Sequence, residues 1–221
     1  MWFRRDLRLA DHPSLTAAAA TGLPVVPLFV VDPAFSAAGG PRREYMHRAL
    51  HSLDQSMAGA LVYRNGDPVD VVPRFAAEVG ADSVFVSRDY GPYGRRRDAL
   101  CAERLRSDGR KLAGHGSPYV VDPGSVVKDN GQPYAMFTPF LKRWRTHAVA
   151  APIAVPDVEW LGDPTVARDG VPAAAEPGCE LPQIGETAAH GRWEKFVRGP
   201  LDVYDEHRDF PAIRGTSQLS A

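Results

Sequence analysis

The residues with the clearest chemistry lie at the end of the chain, Gly215-Thr216-Ser217-Gln218-Leu219-Ser220-Ala221. Thr216, Ser217 and Ser220 make this a hydroxyl-rich, phosphate-binding pattern. Ahead of a helix start, such hydroxyls and the free N–H groups of the first turn converge on one anion, and the helix dipole adds to the attraction. The helix that would follow does not lie within the 221 residues. The expectation is therefore the first piece of a larger cofactor site. Taken alone, Thr216-Ser217 also reads as an ordinary helix N-cap.

Other chemistry is sparse. There is no Gly-x-Gly-x-x-Gly, Walker loop, zinc-type spacing or Gly-x-Ser-x-Gly. His12, His47, His51, His115, His147, His190 and His207 show no ligand spacing, so no metal site is expected. Arg4, Arg5, Asp6 and Arg8 read as a solvated ion-pair loop, and Arg95 to Arg97 as a charged helix face. Lys142, Arg143 and Arg145 read the same way, and Trp144, Trp160 and Trp193 read as packing residues.

Composition sets the frame. A chain of 221 residues with 44% hydrophobic and 24% charged content suits a globular protein with one full domain and part of a second. A net charge of −1 gives no global attraction for nucleic acid, so any DNA contact must be local. Cys101 and Cys179 make neither a disulfide framework nor a metal cluster, which fits a reducing cytoplasm. No signal region opens the chain, and no apolar run is long enough to span a bilayer.

The elements that must carry these residues alternate in the first half. Trp2-Phe3 begins a short, clipped strand, and Asp11 is placed to cap a helix through the alanines to Gly22. The apolar run Val25 to Val31 reads as a strand covered on both faces, with Pro27 an awkward member. Further strands are expected at Ala60 to Tyr63, Ser83 to Ser87 and Lys111 to Ala113. Helices are expected from Pro41 to Met57, from Pro68 to Gly80 and from Tyr93 to Ser107. This alternation predicts an α/β fold, Rossmann-like, with a parallel five-stranded sheet and helices on both faces. Ligands of such sheets lie beyond the carboxyl ends of the strands. Later come a helix from Thr138 to His147 capped by Thr138, a proline-rich stretch from Ala150 to Gly185, and helices near Glu186 to Arg198 and Leu201 to Arg208. The expected division is an α/β domain at 1–115, an extended connector at 116–185 and the start of a helical domain at 186–221.

Four segments carry more. They are Trp2-Phe3-Arg4-Arg5-Asp6-Leu7-Arg8-Leu9-Ala10-Asp11-His12-Pro13, Asp89-Tyr90-Gly91-Pro92-Tyr93-Gly94-Arg95-Arg96-Arg97-Asp98, Pro133-Tyr134-Ala135-Met136-Phe137-Thr138-Pro139-Phe140, and Tyr204-Asp205-Glu206-His207-Arg208-Asp209-Phe210-Pro211 followed by Gly215 to Ser220. In this order and spacing the chain resembles the DNA photolyase/cryptochrome family along essentially its whole length.

The resemblance implies an N-terminal α/β domain for a light-harvesting pigment, a long connector, and a helical domain holding FAD. In the deoxyribodipyrimidine photolyases, excited reduced FAD passes an electron to a cyclobutane pyrimidine dimer flipped out of UV-damaged DNA. Tyr204 matches the family tyrosine at the entry to the FAD site. Thr216, Ser217, Gln218, Leu219 and Ser220 match the loop around the FAD phosphates, and Arg208 matches an arginine that reaches DNA. No catalytic residue is carried over, because the flavin-ring pocket and the tryptophan relay map beyond residue 221. At the start of the charged helix, folate-binding members carry Asn-Glu where this chain has Tyr93-Gly94. That departure favours a deazaflavin over methenyltetrahydrofolate as antenna pigment, with the loop Asp32 to Ala37 as its expected seat.

The chain is thus expected to be an N-terminal portion of a cytoplasmic light-driven repair enzyme, inactive alone and monomeric when complete. A cryptochrome-like photoreceptor and a stand-alone pigment-binding module are the alternatives.

Overall fold

The fold is that of a computed structural model, which describes residues 1–162 and 178–219. The chain divides into two compact units. One comprises Met1–Ala37 with Gly59–Val171, and the other Ala38–Ala58 with Pro172–Ala221.

The first unit is built on five parallel strands: β1 (Trp2–Phe3), β2 (Leu28–Val31), β3 (Val62–Asn65), β4 (Ser83–Val86) and β5 (Lys111–Gly114). The registers are Trp2 opposite Leu28, Leu28 opposite Val62, and Ser83 opposite Lys111. The expected continuous five-stranded sheet is corrected here. Hydrogen bonding joins β1, β2 and β3 in one group and β4 with β5 in another. β1 is two residues long and forms its ladder with β2, not with β4. Side chains bridge the gap instead, because Trp2 packs in one apolar cluster with Leu28, Val62, Val84 and Val86.

Helices α1 (Pro13–Ala19), α3 (Pro68–Glu78) and α4 (Pro92–Ser107) belong to the same unit. Val72 and Phe75 of α3 and Cys101 and Leu105 of α4 complete its core. Burial pushes the Cys101 thiol up to about 12. Proline sits in the first turn of each of these three helices, where its missing N–H costs nothing. Asp67 caps α3 by accepting the N–H of Val69. The α1 cap is His12 rather than Asp11, whose φ of 50° places it in the left-handed region. His12 Nδ1 accepts the Leu15 N–H at 3.2 Å.

Pro27 shortens the expected Val25 to Val31 strand to its last four residues. Val25 pairs instead with the connector, accepting from Leu161 and donating to Glu159. The third strand lies two residues later than the Ala60 to Tyr63 reading. Helix α5 (Phe137–Trp144) begins before Thr138, so that residue does not cap it.

The second unit contains α2 (Gly40–Ser56), α6 (Glu186–Val197) and α7 (Tyr204–His207). The last is a single turn rather than a helix from Leu201 to Arg208.

Candidate functional site

Three groups of polar residues stand out, two on the α/β unit and one in the C-terminal segment. The first lies where β1 and β4 deliver the chain at their carboxyl ends. Arg4 Nη1 lies 2.6 Å from Asp98 Oδ1, and Arg4 Nη2 donates to the carbonyl of Ser87. Arg97 Nη2 reaches the same Asp98 oxygen at 2.8 Å and Asp89 at 3.5 Å. Both guanidiniums lie over the buried Trp2 ring, at 4.9 and 5.1 Å from its centroid.

Behind them Asp6 is buried, accepting the Arg4 N–H at 3.0 Å and the Ser87 hydroxyl. His12 Nε2 stands 3.0 Å from Asp6 Oδ2, at ion-pair distance but off the line of a hydrogen bond. Burial alone would raise the Asp6 carboxyl. His12, the Ser87 hydroxyl and the Arg4 N–H outweigh it and hold the carboxyl well below the usual carboxylate range. The loop read as solvated is therefore a half-buried network, with Asp6 buried and Arg4 nearly so, and Arg97, read as part of a charged helix face, is buried beside them. Only Arg5 and Arg8 fit the solvated reading, Arg8 facing Asp11 at 3.9 Å.

The second group gathers the loop after β2 and the start of α4. Asp32 caps a single turn at Pro33–Phe35 through the Ala34 N–H, at 2.8 Å. Its other oxygen accepts the Tyr93 hydroxyl. Burial, then Asp32, push the Tyr93 phenol up to about 12, so it stays a donor. Phe35 meets Tyr93 edge to face at 5.4 Å, and Arg97 lies 5.5 Å from the Tyr93 centroid. Phe35 and Tyr93 are both exposed. The arrangement is an aromatic edge with one carboxylate, suited to a flat ring carrying N–H donors. Beyond β4 and β5, a cavity of about 480 Å³ opens between Arg88, Tyr90, Arg95 and Pro123.

The third group holds the C-terminal candidates. Tyr204 is partly exposed and packs edge to face on Phe196 at 5.7 Å. Arg208 is exposed, with Asp209 at 3.9 Å. Gly215 is buried, and a Cβ there would lie 2.5 Å from the His207 Cβ, so α7 and the loop meet flush. Thr216 is exposed and Ser217 half-buried. Arg192 of α6 donates to the carbonyls of Gln218 and Gln183, each at 3.1 Å. Residues 210–219 carry no acidic side chain. Hydroxyls, N–H groups and no carboxylate form a donor set that fits a phosphate. Ser220 lies outside the described residues, as does much of the proline-rich stretch.

Among the described residues, no cluster of His, Cys, Asp or Glu can hold a metal, and no helix is long and apolar enough to cross a membrane. The Asp6–His12–Ser87 group and the Asp89 contact with α4 escaped sequence reasoning, since no spacing rule signals them.

The family profile described as DNA photolyase matches residues 1–157. A protein of Agrobacterium fabrum named deoxyribodipyrimidine photo-lyase is 32% identical over 100% of this chain and 49% of its own length. A bacterial class III photolyase from Agrobacterium tumefaciens superposes with a TM-score of 0.83 at 30% identity, over 99% of this chain and 48% of that one. A Synechocystis cryptochrome shares the fold, with a TM-score of 0.80 at 22% identity over 94% of this chain and 48% of its own. The chain spans about half the length of the curated relatives it matches. With the parallel α/β fold and the profile match over most of its residues, this chain belongs to the DNA photolyase family.

Proposed function

We propose that this chain forms the antenna-bearing half of a light-driven enzyme that splits cyclobutane pyrimidine dimers in DNA. The observation that carries the reading is collinearity. The chain aligns end to end with the first half of proteins named deoxyribodipyrimidine photo-lyase. On this reading Thr216, Ser217, Gln218, Leu219 and Ser220 hold the FAD phosphates, Tyr204 stands at the entry to the flavin site and Arg208 contacts a DNA phosphate. FAD, when bound, supplies the excited electron donor. This chain's residues would supply hydroxyl and N–H donors to the phosphates, and Arg192 holds the Gln218 carbonyl.

The antenna pigment is assigned to the aromatic edge at Asp32, Phe35 and Tyr93, and its class is a deazaflavin. The test is the chromophore content of the full-length protein that carries this chain. FAD and a deazaflavin released in comparable amounts on denaturation are expected. Methenyltetrahydrofolate in place of the deazaflavin would overturn the pigment assignment, and absence of FAD would overturn the repair assignment.

A further inference from the structure

We propose that the cavity beyond β4 and β5 binds a nucleoside monophosphate, at a place separate from the aromatic edge of Asp32, Phe35 and Tyr93. β4 ends at Val86 and β5 at Gly114, and the cavity of about 480 Å³ opens past both. In a parallel sheet with helical crossovers, this end of the strands is where ligands lie. The volume is ample for a ring, a sugar and one phosphate. Asp32, Phe35 and Tyr93 are not among the described residues that line it. Tyr93 turns to Asp32, while Arg95, two residues on, faces the cavity.

The charges on its walls select an anion. Asp89 and Asp98 line the cavity, but each is already committed. Asp98 Oδ1 takes Arg4 Nη1 at 2.6 Å and Arg97 Nη2 at 2.8 Å. Asp89 Oδ1 accepts the Gly91 N–H at 3.0 Å, and its Oδ2 faces Arg97 at 3.5 Å. Two carboxylates are thus matched by two guanidiniums. The arginines of the wall itself are placed differently. Arg95 is exposed and makes no ion pair among the described residues. Arg88 is exposed and stands 4.0 Å from Asp122 Oδ2, while the other Asp122 oxygen accepts the Ser117 hydroxyl at 2.7 Å. The Arg88 stem lies against Gly114, where a Cβ would come within 3.2 Å of its Cγ.

Two guanidiniums short of a partner call for a dianion. A phosphate monoester carries about 1.5 to 2 negative charges at neutral pH, more than a carboxylate, and the planar forks match its oxygens bidentately. Tyr90 adds a neutral donor, because burial, then Asp122, push its phenol up. Its ring is steadied edge to face by Tyr119 at 6.2 Å. The remaining wall is apolar, from Val86, Leu112 and Pro123. Such a wall suits a phosphate that arrives on a flat ring, as in a nucleotide, better than the free ion.

The experiment titrates the 221-residue chain with AMP, adenosine and inorganic phosphate by calorimetry, and maps AMP by amide chemical shifts. AMP should bind with a dissociation constant below about 1 mM, and about tenfold or more tighter than adenosine or inorganic phosphate. Arg95→Ala and Arg88→Ala should each weaken AMP about tenfold, the scale of one charge-assisted hydrogen bond. Their thermal midpoints should stay at the wild-type value, since both side chains are exposed. Arg106→Ala, at an exposed arginine further along α4, should leave AMP binding unchanged. The shifts should centre on Val86, Arg88, Leu112 and Gly114.

Absence of AMP binding would overturn the site, as would shifts confined to residues 215–219. Equal losses in Arg106→Ala and Arg95→Ala would reduce it to a general charge effect and overturn it too. Inorganic phosphate bound as tightly as AMP would overturn the nucleoside as ligand. Adenosine bound as tightly as AMP would overturn the part given to the two arginines.

Discussion

The Asp6 carboxylate stands 3.0 Å from Nε2 of His12, and both side chains are almost wholly buried. Asp6 precedes α1 and reaches across to Ser87 after β4, while His12 caps α1. This pair therefore ties the first helix to the point where β1 and β4 fail to share a ladder.

Acid should dissolve this tie. The Asp6 carboxyl lies below its ordinary value of 3.8 in the folded chain. As pH falls through about 4, the unfolded chain takes up a proton that the folded chain still refuses, so stability is fully present above that pH and is lost below it. Asp6→Asn should cost about 2 kcal/mol at neutral pH, because an amide offers one acceptor oxygen where the buried carboxylate accepts from both the Arg4 N–H and the Ser87 hydroxyl. It should also flatten the acid limb of the stability curve. Urea unfolding at neutral pH and near pH 3 checks both, and an unchanged acid limb would contradict the assignment.

His12 has two separable tasks. His12→Ala should lose the cap on the Leu15 N–H, worth about 1 kcal/mol, in addition to the Asp6 contact. His12→Asn restores an acceptor at the cap and should recover that part alone. Thermal unfolding of the two variants, with equal midpoints as the contrary result, separates the tasks.

Arg97 should resist conservative replacement. It is buried, pairs with Asp98 and Asp89, and lies over both Trp2 and Tyr93. A planar fork meets both carboxylates and both rings, and an ammonium does not. Arg97→Lys should destabilise the α/β unit by about 2 kcal/mol or more. A loss near zero in denaturant titration would show that the stacking and the fork are dispensable.

The two thiols should differ sharply. Cys101 is buried with its thiol pushed up to about 12, and Cys179 is exposed. The thiolate is the reactive form, so at neutral pH one thiol per folded chain should react with a disulfide reagent and the second only on unfolding. Two fast thiols in the native protein would contradict the placement of α4.

Much of the fold was legible because its signals are local. Leu28 to Val31 announce a buried strand by composition, and Asp67-Pro68 announces a helix start by cap chemistry. The family resemblance was legible for a similar reason, in runs of neighbouring residues. The buried network was not. Asp6 and Ser87 lie 81 positions apart, and Arg4 and Asp98 lie 94 apart, so their pairing exists only once the strands are placed. The contact of Asp89 with the first turn of α4 was hidden differently. Asp89 and Gly94 are close in sequence, but a glycine in a helix's first turn carries no mark of the side chain it must avoid.

Arg192 should govern the order of the C-terminal loop. Its guanidinium holds the carbonyls of Gln183 and Gln218 together. Arg192→Ala should speed amide exchange at residues 215–219 about tenfold, the scale of one charge-assisted hydrogen bond. Unchanged exchange there, measured by mass spectrometry, would remove Arg192 from the phosphate-loop account.

The most direct test of the central claim is light-driven repair of a thymine-dimer oligonucleotide, run on the 221-residue chain and on the full-length protein that carries it, each supplied with reduced FAD. The account expects illuminated full-length protein to restore the thymines and the 221-residue chain to restore none. Repair by the chain alone, or no repair by FAD-loaded full-length protein, would contradict it, the latter result assigning the chain to a photoreceptor instead.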